Sequence, residues 1–212
     1  MQALDLPPLR RVVLLGAHPD DLEIAAGGTL LSLAAPDLQV HYVLLTGAPQ
    51  RQAEARAAAA AFLPGARVEF VLHSLPDGRL PAVWGQAKEA IEAVARATDP
   101  DLVLAPAPDD AHQDHRAVAQ LAPTAFRDAL VLHYEIPKWD GDLGRRNLYV
   151  PLTESTARRK VELLNTCFPS QKGRDWWDDE VFLGLARLRG MECRARYAEA
   201  FSSYKAVLRL ER

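Results

Sequence analysis

Two short stretches of the sequence carry most of the side chains that could do chemistry. Residues 17–23 read AHPDDLE and place His18 before Asp20 and Asp21, directly after the apolar run RVVLLG. Residues 112–115 read HQDH, with an aspartate between two histidines. Imidazole nitrogens and carboxylate oxygens bind divalent cations, and both groups can also exchange protons during catalysis. The two stretches therefore contain candidates for a metal site and for acid–base catalysis.

Each stretch also has a simpler explanation when it is taken alone. Asp20 followed by Glu23 is the pattern of a capping box at a helix N-terminus. Two adjacent carboxylates repel each other, however, and a cap needs only one of them, so the pair favours a nearby cation. In the second stretch, His112 and His115 can share one side of a helical turn, and Asp114 can orient an imidazole through its second N–H. A surface histidine pair is the alternative.

The elements that must position these residues are indicated by apolar runs alternating with helical patterns. The predicted strands are residues 11–16, 38–46, 66–72, 100–108 and 129–136. The predicted helices are residues 22–35, 50–63, 82–98 and 115–126. Continuously apolar strands that alternate with helices predict an α/β, three-layer, Rossmann-like fold with a mostly parallel sheet and helices on both faces.

Ligands of such folds bind beyond the carboxyl ends of the strands. His18 follows the first predicted strand and His112 follows the fourth. We therefore expect the two stretches to meet at one edge of the sheet. A histidine, an aspartate and a second histidine would form the ligand set of a catalytic zinc site with one open position for water.

The pattern changes after residue 137. We predict a loop over 137–152, a helix over 153–167 that begins at Thr153, and a polar loop followed by a helix that runs through Arg189. Residues 203–210 are predicted to form an edge strand, and the aromatic residues of YAEAF (197–201) are interpreted as helix packing. Trp139, Trp176 and Trp177 lie in polar loops, where they serve as core anchors or as a rim on which a sugar stacks. We expect a single domain over 1–212, with 1–137 as the α/β core and 138–212 as an extension of loops and helices.

Composition excludes several classes of protein. The 212 residues carry a net charge of −3, which argues against a nucleic-acid binder with a basic face. The two cysteines, Cys167 and Cys193, lack a CxxC spacing, so neither a disulfide framework nor a thiolate zinc site is expected. No apolar run has the length of a signal peptide or a membrane span. We expect a soluble cytoplasmic protein. Its oligomeric state, including a homo-oligomer, stays open.

The sequence resembles the PIG-L/LmbE-like N-acetylglucosaminyl deacetylases. AHPDDLE at 17–23 and HQDH at 112–115 correspond to the two hallmark motifs of that family. The resemblance extends over nearly the whole chain and includes RQAEARAAAAAF (51–62) and LARLRGMEC (185–193). It implies a zinc-dependent N-deacetylase that releases acetate from an amino sugar or glucosaminyl conjugate.

The family motifs also imply a role for each residue. The implied ligands of one zinc ion are His18, Asp21 and His115. Asp20 is implied to be the general base, and His112, oriented by Asp114, to stabilise the oxyanion or protonate the leaving amine. Arg51 corresponds to an arginine that contacts substrate; the alternative is a solvated residue in the first turn of a helix.

Two rival functions remain at the level of sequence. A nucleotide-binding module would use the same strand–turn–helix geometry, although the chain has no G-x-G-x-x-G after the first strand. An amidase that cleaves a larger acyl group from a thiol conjugate would use the same metal site. Metal content separates the first rival from the deacetylase, and an assay with both substrates separates the second.

Overall fold

A seven-stranded sheet forms the centre of the computed structural model, which describes residues 3–208. In chain order the strands are β1 (Arg11–Gly16), β2 (Gln39–Thr46), β3 (Arg67–Leu75), β4 (Leu102–Pro106), β5 (Leu130–Tyr134), β6 (Leu148–Leu152) and β7 (Tyr197–Ser203). Their order across the sheet is β3-β2-β1-β4-β5-β7-β6. The first five strands are parallel, whereas β7 runs antiparallel to both β5 and β6.

Six α-helices cover the two faces of this sheet. They are α1 (Asp21–Leu33), α2 (Pro49–Phe62), α3 (Trp84–Ala97), α4 (Gln113–Ala125), α5 (Glu154–Cys167) and α6 (Asp179–Cys193). Alternate residues of the central strands point to opposite faces. Leu14 therefore packs in the core formed with α1, α2 and α5, whereas Val13 and Leu15 pack in the core formed with α3 and α4. The predicted three-layer α/β fold with a mostly parallel sheet is confirmed.

The C-terminal third differs from the sequence prediction in three places. Residues 148–152, predicted as loop, form β6, and the YAEAF segment, interpreted as helix, forms most of β7. The predicted edge strand over 203–210 is wrong, because β7 ends at Ser203 and residues 204–208 have no regular structure. Residues 209 and 210 lie outside the described part of the chain. The antiparallel pair depends on contacts between distant segments, and local residue patterns do not encode those contacts.

Two glycines allow α1 to lie unusually close to its neighbours. A Cβ atom on Gly27 would come within 2.7 Å of the Phe62 ring of α2, and one on Gly28 within 2.4 Å of Leu152 in β6. Both glycines therefore permit close packing of α1. No helix among residues 3–208 combines the length and the apolar character that a membrane crossing requires.

A buried ion pair fixes α1 at the point where the helix is kinked. Ala26 has non-helical φ and ψ, which frees the backbone N–H groups that follow it. Glu199 of β7 accepts hydrogen bonds from the backbone N–H groups of Gly28 (2.8 Å) and Thr29 (2.6 Å) and from Lys160 Nζ (2.6 Å). Glu199 therefore joins α1, α5 and β7.

We predict that Glu199→Ala lowers the free energy of unfolding by about 3–5 kcal/mol, because it leaves Lys160 charged, buried and unpaired. Denaturation in urea, followed by circular dichroism, measures the change. Glu162→Ala is the matched control, since Glu162 pairs with Arg159 on the exposed side of α5 and exposed ion pairs contribute little. Equal stability of the two variants would contradict the prediction.

Candidate active site

The site is built around the carboxylate of Asp21, at the first residue of α1. Asp21 Oδ2 accepts hydrogen bonds from the backbone N–H groups of Ala17 (2.9 Å) and His18 (2.8 Å), which belong to the turn that follows β1. The other oxygen, Oδ1, lies 3.3 Å from His115 Nε2. The turn therefore fixes one oxygen of this carboxylate and leaves the second directed at the histidine of the distant HQDH motif.

His18 and His115 meet beside this carboxylate. His18 Nδ1 lies 3.1 Å from His115 Nε2 and 3.6 Å from Asp21 Oδ2. Two ring nitrogens at this separation leave room for one proton between them, so at least one lone pair is directed into the cluster. The two predicted stretches are thus brought together at the carboxyl edge of the sheet, as the sequence indicated.

Carboxylates hold the outer nitrogen of each of these imidazoles. His115 Nδ1 lies 2.8 Å from Asp110 Oδ2, and His18 Nε2 lies 3.3 Å from Asp114 Oδ2 and 3.1 Å from Asp77 Oδ1. Each partner fixes the orientation of its ring and directs the inner nitrogen towards the cluster. Sequence reasoning missed Asp110 and Asp77. Asp110 lies in the DDAHQDH segment, five residues before His115, but nothing local marks Asp77.

The expected pairing of Asp114 with His112 is corrected by these contacts. Besides His18, the Asp114 carboxylate accepts hydrogen bonds from the backbone N–H groups of Gly78 (2.7 Å) and Leu80 (2.9 Å). His112 is instead the N-cap of α4, where its Nδ1 accepts a hydrogen bond from the Asp114 backbone N–H at 3.2 Å. An acceptor at Nδ1 leaves the proton of the neutral ring on Nε2.

Asp20 has a strained backbone and does not cap the helix. Its φ of 109° and ψ of −23° lie in the left-handed region, and its side chain makes no capping hydrogen bond. Glu23, the other half of the alternative capping box, is buried and accepts a hydrogen bond from Tyr42 Oη at 2.8 Å. Non-glycine residues adopt this conformation at a cost of about 1–3 kcal/mol, and such strain is found preferentially at functional sites.

Arg51 holds the Asp20 carboxylate. Its Nη2 donates to Asp20 Oδ2 at 2.7 Å and also to the carbonyl oxygen of Pro19, while Nη1 donates to Ser170 Oγ at 2.8 Å. The side chain of Arg51 is only 20% exposed, so the alternative of a solvated residue in the first turn of α2 is wrong.

Burial and local charge separate the proton affinities of the two aspartates. Burial raises the pKa of Asp20 to about 6, although the guanidinium of Arg51 opposes the shift. Burial would also raise the pKa of Asp21, but His115 and His18 outweigh it and hold the pKa well below its usual range. Burial would lower the pKa of His115, but Asp21 and Asp110 raise it to about 9. Positive charge is therefore strongly stabilised beside Asp21.

An open cavity of about 710 Å³ leads from this cluster to the protein surface. At its inner end lie His18, Asp20, Asp21, Arg51, His112 and His115, and at its mouth lie Trp139, Arg174 and Trp176. A cavity of this volume can enclose a small organic ligand. The arrangement has the donor set for one divalent cation, a neighbouring carboxylate able to accept a proton, and an imidazole N–H donor.

Comparison with known proteins agrees with this geometry. The model of the PIG-L family, described as GlcNAc-PI de-N-acetylase, matches residues 13–126, which contain both motifs. The structure also resembles the conserved protein TT1542 from Thermus thermophilus, with 25% identity and a TM-score of 0.75. That alignment covers 95% of this chain and 97% of the other.

Two further solved structures have the same fold at lower identity. The N,N'-diacetylchitobiose deacetylase of Pyrococcus horikoshii is 21% identical with a TM-score of 0.74, over 92% of this chain and 84% of that one. The 4-carboxy-2-hydroxymuconate hydratase of Pseudomonas putida KT2440 is 20% identical with a TM-score of 0.76, over 95% and 99%. Since one of these relatives is a deacetylase and the other a hydratase, the fold alone does not determine the reaction.

Fold and site together define an α/β enzyme with a His–Asp–His cluster at the carboxyl edge of a parallel sheet. The chain belongs to the PIG-L family of GlcNAc-PI de-N-acetylases, whose model covers more than half of it. It is an N-deacetylase of amino sugars, and the alternative of a nucleotide-binding module is set aside.

We predict that Asp20→Gly makes the metal-free protein more stable than wild type by about 1 kcal/mol or more, because glycine removes the strain at φ 109° together with a carboxylate that burial disfavours. Asp20→Ala is the matched variant, and it should gain less because its Cβ keeps the strain. Chemical denaturation in the presence of a chelator measures both. A glycine variant less stable than wild type would contradict the prediction and indicate that the ion pair between Asp20 and Arg51 contributes more to stability than the strain costs.

Proposed function

We propose that this protein hydrolyses the N-acetyl group of an N-acetylglucosaminyl sugar or conjugate, releasing acetate and a free amine, with one zinc ion held by His18, Asp21 and His115. The observation that carries this proposal is the convergence of those three side chains, whose nearest polar atoms lie 3.1–3.6 Å apart, beside the strained Asp20. In this proposal the whole chain serves as one catalytic domain.

The donor atoms of these three residues fit a zinc ion. His115 Nε2 lies close to both His18 Nδ1 (3.1 Å) and Asp21 Oδ1 (3.3 Å), while the remaining oxygen or nitrogen of each side chain is occupied by a backbone or carboxylate partner. One carboxylate and two imidazoles, without cysteine, form a ligand set typical of catalytic zinc, with a position left for water or substrate. The stabilisation of positive charge beside Asp21 further supports a cation at this place.

Asp20 is assigned the role of general base. Zinc, when bound, polarises the amide carbonyl and makes water a better nucleophile at neutral pH. A carboxyl group with a pKa of about 6 is mostly ionised at pH 7, and it accepts a proton more readily than an ordinary aspartate. The hydrogen bond from Arg51 keeps this carboxylate in place at the inner end of the cavity.

His112 is assigned the stabilisation of the oxyanion or the protonation of the leaving amine. Its Nδ1 is occupied by the Asp114 backbone, so Nε2 carries the proton of the neutral ring and serves as the donor. The ring centroid of His112 lies 4.7 Å from that of His18, which places it beside the proposed metal site. Asp114 acts in this scheme by orienting His18. Arg51 contributes to substrate binding in addition to holding Asp20.

We predict that His115→Ala loses most of the bound zinc and that Asp110→Ala weakens zinc binding by about 10- to 100-fold, because the Asp110 carboxylate orients His115. Competition with a chromophoric chelator measures the affinities. Asp109→Ala is the control, since Asp109 binds Arg146 outside the cluster. Unchanged zinc affinity in both His115→Ala and Asp110→Ala would contradict the assignment of the ligands.

The reaction itself is tested by measuring acetate release from a panel of N-acetylated sugars, nucleotide sugars and glucosaminyl conjugates. Zinc-loaded wild-type protein is expected to release acetate from an N-acetylglucosaminyl substrate. Asp20→Asn should lose on the order of 10²–10⁴ in turnover while it keeps its fold and its zinc, because an amide cannot accept the proton.

Two results would overturn parts of this proposal. Cleavage of a thiol conjugate without acetate release from any amino sugar would make the protein the rival amidase. Normal turnover in Asp20→Asn would remove Asp20 from the role of base.

We also propose a cytoplasmic location. It is supported by Cys167 and Cys193, which are free thiols, since disulfides are rare in reducing compartments.

A further inference from the structure

A ladder of aromatic rings connects the C-terminal core to the mouth of the cavity. Trp177 is buried between Phe168 (ring centroids 6.0 Å apart) and Phe182 (5.3 Å), and it contacts Trp176 at 5.6 Å. Trp176 in turn contacts the ring of Trp139 at 5.9 Å in an edge-on arrangement. Core anchoring, the first interpretation from sequence, therefore describes Trp177 but leaves Trp139 unexplained.

Trp139 is exposed and nevertheless fixed in place. It is 64% exposed, although large aromatic residues normally bury most of their surface. Its indole Nε1 donates a hydrogen bond to Asp175 Oδ1 at 2.7 Å. An exposed tryptophan that is held by a hydrogen bond and by an edge-on aromatic neighbour is preorganised for binding, because little conformational entropy is lost when a ligand binds.

The backbone beside Trp139 is anchored to the catalytic end of the cavity. The neighbouring Lys138 is half-buried, and its Nζ binds Asp142 Oδ2 (2.6 Å) and Asp110 Oδ1 (3.0 Å). Asp110 is the residue that orients His115. Through this connection the position of Trp139 relative to the proposed zinc site is set by ion pairs, not by a loose loop.

The groups around the two indole rings are polar. The side chains of Lys138, Asp140 and Arg174 line the same cavity as the two indole rings. An alkyl chain lying there would remove these charged groups from water without offering them hydrogen bonds, which is unfavourable. A saturated ring that carries hydroxyl groups suits both the indole rings and the charged groups. Its C–H face packs on an indole, and its hydroxyls bind the charged side chains.

We propose that Trp139, supported by Trp176, is the platform on which the ring linked to the N-acetylglucosaminyl unit of the substrate stacks. This inference rests on the proposed function, since the acetamido group must lie at the inner end of the cavity. Trp139 thus determines specificity for the part of the substrate that is not cleaved.

The test compares three substrates that share one N-acetylglucosaminyl unit: its methyl glycoside, its hexyl glycoside and its disaccharide with glucose. Trp139→Ala is expected to lower kcat/KM for the disaccharide on the order of tenfold and to leave the methyl glycoside within about twofold. Trp139→Phe should restore most of the preference, since it keeps a stacking face. Trp84→Ala is the matched control, because Trp84 is a partly exposed tryptophan at the start of α3 that does not line the cavity.

Three outcomes would overturn the platform. An equal loss on the methyl glycoside and the disaccharide would indicate a structural role, and a loss confined to the hexyl glycoside would indicate an apolar ligand. If wild-type protein releases no acetate, the proposed function fails, and calorimetry with the disaccharide of glucosamine and glucose then decides the platform independently. If the wild-type protein binds the disaccharide and Trp139→Ala binds it about tenfold more weakly, the platform is supported. If the two proteins bind it equally, or the wild-type protein does not bind it, the platform is overturned.

Discussion

The hydrogen bonds from the backbone of the β1–α1 turn to one oxygen of Asp21 are the interaction on which the site depends. They fix the first residue of α1 relative to the end of β1 and turn the second carboxylate oxygen towards His115. The central strands are parallel, so the loop after β4 ends at the same edge and delivers His115 to this oxygen. The cluster thus joins two segments that are almost a hundred residues apart in the chain.

The structure holds this cluster in place at some cost in local stability. Asp20 adopts a left-handed conformation, its carboxylate is buried next to Asp21, and its pKa rises as a result. The alternative use of the same residue, as a helix cap, would require a relaxed backbone and a carboxylate directed at the first turn. Arg51 offsets part of the electrostatic cost from the first turn of α2. A raised proton affinity suits a general base, and backbone strain is found preferentially at functional sites, so both are consistent with the proposed role.

The C-terminal segment completes the site from outside the parallel core. Its antiparallel strands extend the sheet, and Glu199 of β7 binds the backbone of α1 beyond the kink, so the helix that begins with Asp21 is fixed at its start and again beyond the kink. The same third of the chain contributes the aromatic ladder and Lys138, which reaches back to Asp110. The inner end of the cavity therefore belongs to the region that the family model covers, whereas its mouth is formed by residues that lie beyond it.

The sequence by itself determined the parallel core, both chemical motifs and their meeting at one edge. Hydrophobic periodicity and the alternation of strands and helices along the chain are local properties, and they are sufficient for these predictions. The sequence also identified Thr153 as the start of α5, since a cap acts within one helical turn. Only the tertiary structure decided which carboxylate orients which imidazole: Asp114 lies two residues from His112 in sequence but binds His18, and Asp110 binds His115. The tertiary structure also determined that YAEAF forms a strand and that Glu199 binds Lys160. These outcomes depend on contacts between segments far apart in the chain, where packing outweighs local propensity.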